Sequence, residues 1–315
     1  MNIILFTKNF GPEGLYHWNI LETFNKLYNV HMVGPGFSHY FSGKHIKDII
    51  RDSGMRPDII IFGTSQKNYE CRVPGLAELR VPKLIFLNKE FINVRAKLEY
   101  IRTYKFSLVS TILSKDIHKP LERACGVPFI QTPHGIDVTR FRPLDIEKKY
   151  DFGFLGALFT QRDVTDRARV KKIVFEESEL AKRYKILWGD DINKLLFEGE
   201  AYVEALNSCK MFLSTLSPMG IIGTRFYELS ACKTMMICPR GEYDGDFVDK
   251  KTVVMFDSNK DFVKKFLYYL ENDEARNKIT EQAYRRALDN YTWDARIKKL
   301  MAHIFDEYGE CKLIT

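Results

Sequence analysis

The sequence predicts an α/β protein of two doubly wound domains, each a parallel sheet between helices, and three observations predict it. Strand-length apolar runs recur with helical patterns between them. One polar stretch without apolar period, HGIDVTRFRPLDIEKKY at 134–150, interrupts that rhythm. The 315 residues are 45% hydrophobic and 13% aromatic, enough apolar surface for two cores.

Taken in order, NIILFT (2–7), NVHMVG (29–34), DIIIFG (58–63), KLIFLN (83–88), FSLVST (106–111) and PFIQTP (128–133) read as the strands of a first domain, 1–133. Residues 134–150, with Pro143, read as an interdomain connection. A second series, YDFGFLGA (150–157), KILWGD (185–190), CKMFLST (209–215), KTMMICP (233–239) and TVVMFD (252–257), gives a second domain, 151–290, with helices over 162–183 and 200–208. The tail from Asp261 to about Tyr308 is helical, with apolar stripes at 262, 263, 266, 267 and 270 and at 297, 300, 301, 304 and 305. Its last part, 291–315, is expected as a C-terminal helix packing back towards the first domain. Two such domains facing each other leave a cleft outside the carboxyl ends of both sheets, where open parallel sheets bind ligands.

MNIILFTKNF has no basic region ahead of its apolar run, and no stretch approaches the ~20 apolar residues of a membrane span. A cytoplasmic protein without a span is expected; peripheral contact with a membrane stays open. Six cysteines without CxxC spacing suit a reducing compartment and suggest no metal site. The net charge of +7 is spread along the chain rather than gathered with aromatics, so nucleic acid is not an expected partner.

Two stretches of the second domain carry chemistry. In FLGALFTQRD, Gly153 and Gly156 form a turn of little bulk leading to Arg162, a combination suited to phosphate. In SPMGIIGTRFYELSACK, Gly220 and Gly223 precede a helix with Thr224 as candidate N-cap. Arg225 and Glu228 then share one helix face, while Ile222, Phe226, Leu229 and Ser230 form the core face. An exposed ion pair of this kind contributes only ~0.2 to 0.5 kcal/mol. The flanking apolar runs leave the helix little water to face, however, and buried charges need partners. An arginine suits a diphosphate, and a carboxylate accepts two hydrogen bonds from a ribose diol.

In the first domain, Gly11, Pro12 and Gly14 frame a loop where Glu13 and His17 offer a carboxylate and an imidazole, and Glu90 follows a later strand. All three are candidate bases. His134 opens the connection. The acidic pairs Asp190/Asp191 and Asp244/Asp246 read as loops rather than metal ligands.

PHGIDVTRFRP, YDFGFLGALFTQRD, GTRFYELSACKTMMICP and YTWDARIKKL resemble, in this order, the pattern of GT-B glycosyltransferases. The resemblance is closest to the CgeB-like (spore maturation protein B-like) branch of glycosyl transferases group 1. It covers about 128–302; before that mainly the strand rhythm agrees. It implies two facing Rossmann-like domains with a nucleotide-sugar donor, UDP- or GDP-linked, in the second and an acceptor hydroxyl, glycan or other, in the first. A metal-independent hexosyl- or pentosyltransferase without cofactor is implied. Glu228 matches the ribose-binding glutamate and Arg225 the diphosphate side. Gly156 and Arg162 match the glycine loop and basic residue across the phosphates, and Trp188 and Gly189 fall where the nucleobase packs. The loop holding Glu13 and His17 matches the one presenting a base in inverting members. The chain departs from the retaining pattern Glu, seven residues, Glu, because Gly220 stands eight before Glu228; stereochemistry stays open.

The expected function is transfer of a sugar from a nucleoside diphosphate to a hydroxyl in glycan or glycoconjugate synthesis. A sugar-nucleotide 2-epimerase of the same fold and a non-catalytic sugar-nucleotide or glycan-binding protein stay open beside it. A dinucleotide oxidoreductase is disfavoured, since neither TKNFGPEG nor the loop at 153 gives GxGxxG.

Overall fold

A computed structural model describes residues 1–9, 15–63, 71–87, 92–156, 158, 166–190, 197–217 and 220–312, without the side chains of 15–19 and 308–312. The chain divides into two units, Met1–Pro133 with Trp293–Thr315, and His134–Thr292.

In the first unit the apolar runs become β1 (Asn2–Phe6), β2 (Asn29–Val33), β3 (Ile59–Phe62), β4 (Lys83–Phe86), β5 (Leu108–Thr111) and β6 (Phe129–Gln131). They form one parallel sheet in the order β2-β1-β3-β4-β5-β6. Their runs are apolar without alternation because both faces are covered. Ile4, Phe6, Ile60 and Phe62 pack on one side with α2 (Ile46–Ser53), α3 (Val94–Thr103) and α4 (Lys115–Cys125). Ile3, Leu5, Ile59 and Ile61 pack on the other with α1 (Leu15–Leu27).

The second unit repeats the plan with β7 (Tyr150–Leu155), β8 (Ile186–Gly189), β9 (Cys209–Leu213), β10 (Met235–Pro239) and β11 (Val254–Phe256), in the order β11-β10-β9-β7-β8. Phe152, Phe154, Met211, Leu213, Met235 and Ile237 face α5 (Asp166–Lys172) and α9 (Asn259–Glu271). Phe212, Met236, Cys238 and Met255 face α7 (Gly199–Asn207), α8 (Thr224–Ala231) and α10 (Asp273–Asn290). Burial pushes the thiols of Cys209, Cys232 and Cys238 up to about 12, so they act as packing groups.

Three local expectations are corrected: the helix over 162–183, the separate connection over 134–150 and Gly153 as a turn residue. The helix expected over 162–183 is described from Asp166 only, and after α5 it widens into a π-helical turn, Ile173–Glu177, before α6 (Leu180–Arg183). The Ser178 hydroxyl donates to the Ile173 carbonyl at 2.6 Å, which competes with the regular ladder at this break. The segment 134–150 lies in the second unit: the Ile136 N–H donates to the Tyr291 carbonyl at 2.8 Å, and Asn207 bonds both Arg142 and Leu144. The last helix, α11 (Trp293–Lys312), belongs to the first unit, where Trp293, Ile297, Leu300, Met301 and Ile304 are buried beside α1. Gly153, finally, lies inside β7 rather than in the following turn.

A side chain at Gly153 would meet its neighbours on β9, with Cβ 2.6 Å from Cys209 Sγ and 2.6 Å from the Phe212 ring. Gly153→Ala is therefore expected to cost about 1 to 3 kcal/mol through overpacking. A urea-unfolding midpoint equal to that of the wild type would refute this.

Candidate functional site

In the second unit the strands are parallel, but the order in which they are added reverses between β7 and β9, β8 lying to one side and β10 and β11 to the other, and ligands of such sheets sit beyond the carboxyl ends at that point. The chain places Gly156 directly after β7, and Ser214 and Thr215 directly after β9. Gly156 has φ +155, a conformation that favours glycine. A methyl there would lie 3.3 Å from Arg225 Nη1, 3.8 Å from Arg167 Nη1 and 3.5 Å from the Phe154 ring. Two guanidinium groups thus converge on a point that only an absent side chain leaves open. The Gly156 N–H itself donates to the Gly189 carbonyl at 2.8 Å, so this glycine supplies room rather than a donor.

Each arginine is anchored through its Nε. Arg167, in the first turn of α5, donates to Thr215 Oγ1 at 2.8 Å and lies over the Phe154 ring. Burial and the nearby Arg225 charge both hold its pKa below the ordinary arginine value. Like charges held together in a partly buried place favour an anion between them. Arg225 donates through Nε to the Tyr202 hydroxyl at 3.1 Å and lies over the rings of Tyr202 and Phe212.

Tyr202, on α7, donates in turn to Glu228 Oε2 at 2.7 Å. Burial and the Glu228 carboxylate push its phenol well above its usual value, so the hydroxyl keeps its proton. Among the described residues Arg225 and Glu228 form no direct ion pair; the hydroxyl joins them. Both are half-buried, while Phe226, Tyr227, Leu229, Ser230 and Ala231 of α8 are fully buried. Thr224 is the first helical residue rather than the N-cap: Gly223 takes that place with extended backbone and without a side-chain cap bond. Gly220, at φ +71, turns the loop before α8 and gives its N–H to the Ser217 carbonyl.

The Phe154 ring continues the row to Trp188, 4.6 Å between centroids, and the half-exposed Phe175 meets Trp188 edge-on at 5.5 Å. The Trp188 indole donates to Asp190 Oδ2 at 2.9 Å, and Lys171 pairs with the same oxygen at 2.5 Å. Burial raises the Asp190 pKa, but these two partners outweigh it and lower it overall. Asp246 receives the Tyr227 hydroxyl at 3.1 Å. Among the described residues no three His, Cys, Asp or Glu side chains group as metal ligands.

Gly156, Gly189, Trp188, Arg225 and Glu228 are thus brought into one row, with Gly223 and Thr224 at the start of α8. Arg162, Glu13 and Glu90 lie outside the described residues, and His17 lies on α1 with its side chain outside them. Sequence reasoning missed Arg167, Thr215 and Tyr202. Arg167 carries the signal assigned to Arg162, an arginine following a glycine turn. Tyr202 carries none, because the residues it joins lie 23 and 26 positions away.

Residues 175–302 match the family model described as glycosyl transferase-like. No curated protein sequence matches the chain. Among solved structures, a glycosyltransferase from Rickettsia africae aligns at 12% identity and TM-score 0.59, covering 98% of this chain and 99% of that one. The Anabaena protein HepE in complex with UDP-glucose aligns at 10% identity and TM-score 0.60, over 97% and 100% of the two chains. The chain has the GT-B fold. Sucrose-phosphate synthase from Thermosynechococcus elongatus shares this GT-B likeness at 11% identity and TM-score 0.56, over 98% and 100%. Among the described residues of this GT-B chain, no helix is long and apolar enough to cross a membrane.

Proposed function

We propose that the protein is a glycosyltransferase that moves a sugar from a nucleoside diphosphate, UDP- or GDP-linked, to an acceptor hydroxyl, within the CgeB-like branch. The observation that carries this reading is the convergence of Arg167 and Arg225 on Gly156 with Glu228 one hydroxyl away. Two cations suit a diphosphate, and the carboxylate suits the diol of the ribose attached to it. That HepE, of the same fold, holds UDP-glucose supports a UDP-sugar.

In the proposed reaction the acceptor oxygen bonds to the anomeric carbon, the bond from that carbon to the diphosphate oxygen breaks, and the acceptor proton passes to a base. Arg167 and Arg225 stabilise the charge that grows on the leaving diphosphate, in the role a divalent cation fills elsewhere. Donor binding is assigned to the second unit; acceptor and base, from His17, Glu13 or Glu90, to the first. Trp188, with Phe154 and Phe175, offers the aromatic surface for the base of the nucleotide.

Thermal-shift screening against UDP-, GDP-, dTDP- and CDP-sugars tests the reading. A bound donor at 100 times its Kd stabilises by about 2.7 kcal/mol, a clear rise in the unfolding midpoint. No shift with any of them would overturn the proposal. Conversion of a labelled UDP-sugar to its epimer without acceptor would replace transfer by epimerisation.

A further inference from the structure

We infer that Tyr202 is a positioning residue that holds Arg225 and Glu228 as one preassembled unit, so that the diphosphate and the ribose of a nucleotide are recognised together rather than separately. This rests on the donor-site reading above. A phenol hydroxyl has one proton to give and lone pairs to accept with. Arg225 Nε–H can only donate and an ionised Glu228 can only accept, so the Tyr202 proton must point to Glu228. The orientation of the whole row, guanidinium to hydroxyl to carboxylate, is therefore fixed.

The division of labour at Arg225 follows from the same bond. Among the described residues the hydrogen bond to Tyr202 is the one Arg225 makes, and it uses Nε. The two Nη groups remain for an anion, and Nη1 already lies beside Gly156. At Glu228, Tyr202 takes Oε2 and leaves Oε1 for a ligand hydroxyl. The tyrosine ring is itself held: Phe141 meets it edge-on at 6.1 Å between centroids, and the Arg225 guanidinium lies 5.7 Å above it.

Long charged side chains lose substantial rotamer freedom when they bind. Anchoring both before a ligand arrives removes that cost from the binding step. Without the hydroxyl, Arg225 and Glu228 are one turn apart on α8 and free to swing independently or to pair with each other, which would withdraw both from the ligand.

The test compares uridine, UMP, UDP and 2′-deoxy-UDP by calorimetry on the wild type and on Tyr202→Phe, which keeps the ring against Phe141. In Tyr202→Phe the UDP Kd should rise about tenfold, the value of one hydrogen bond to a charged group. Both the preference for UDP over UMP and that for UDP over 2′-deoxy-UDP should shrink. A folded Tyr202→Phe protein with both preferences equal to the wild type's would overturn the inference, whereas a wild type that binds neither these four nor their guanosine counterparts would overturn the donor-site reading instead. Should Tyr202→Phe not fold, urea midpoints of Arg225→Lys, Glu228→Ala and their double variant give the answer without ligand. Non-additive effects support the linkage, and additive ones overturn it.

Discussion

Replacing Arg225 with alanine should lower kcat about 10²- to 10³-fold, the loss seen when one preorganised donor to a developing oxyanion is removed. Arg225 is half-buried between the Tyr202 and Phe212 rings, where its charge is less screened than at an open surface, and it faces the same point as Arg167. The effect should fall on kcat more than on KM, because the charge on the diphosphate grows as its bond to the sugar breaks. Arg225→Lys should recover part of the loss: it keeps the charge but has no planar fork, and therefore neither the Nε bond to Tyr202 nor two parallel bonds to phosphate. Removing the arginine also relieves its repulsion of Arg167, which offsets the lost ring contacts, so the unfolding midpoint should move little. Steady-state rates with the donor found by thermal shift check this, and a kcat within twofold of the wild type's would remove Arg225 from the leaving-group role.

Glu228→Ala should raise the Kd of the nucleotide about 10- to 100-fold, as expected for lost hydrogen bonds to a charged acceptor. The loss should be specific to the sugar of the nucleotide. Binding of a 2′-deoxynucleotide, which cannot offer the full diol, should be affected far less, and the ratio of the two affinities should approach unity. Acceptor KM should stay as it is. Calorimetry with UDP and 2′-deoxy-UDP measures both constants, and an unchanged UDP affinity would sink the ribose assignment. Glu228→Gln, which keeps the shape and can still accept from Tyr202, separates charge from packing.

The two sheets were legible because their strands are buried on both faces, which leaves a strong apolar mark in runs such as IIIF at 59–62 and MMICP at 235–239. Arg225 and Glu228 were legible for the opposite reason, as charges in a short helix whose other residues are apolar or small. The helical break at 173–179 and the N-cap at Gly223 were not, because they depend on local backbone choices that several residue types share equally. Gly153 and Gly156 looked alike on paper: one is a glycine because β9 side chains fill its space, the other because two arginines converge there at positive φ.

By itself the sequence determined the parallel strands, the break near 134, the apolar stripes of the last helices and the charged face of α8, all set by the period of apolar residues along one stretch of chain. Only the tertiary structure decided that Arg167 joins Arg225 at Gly156 and that Tyr202 lies between Arg225 and Glu228. Those contacts link separate elements, and a hydrogen bond or an ion-attracting pair between distant residues leaves no periodic trace in either segment that makes it.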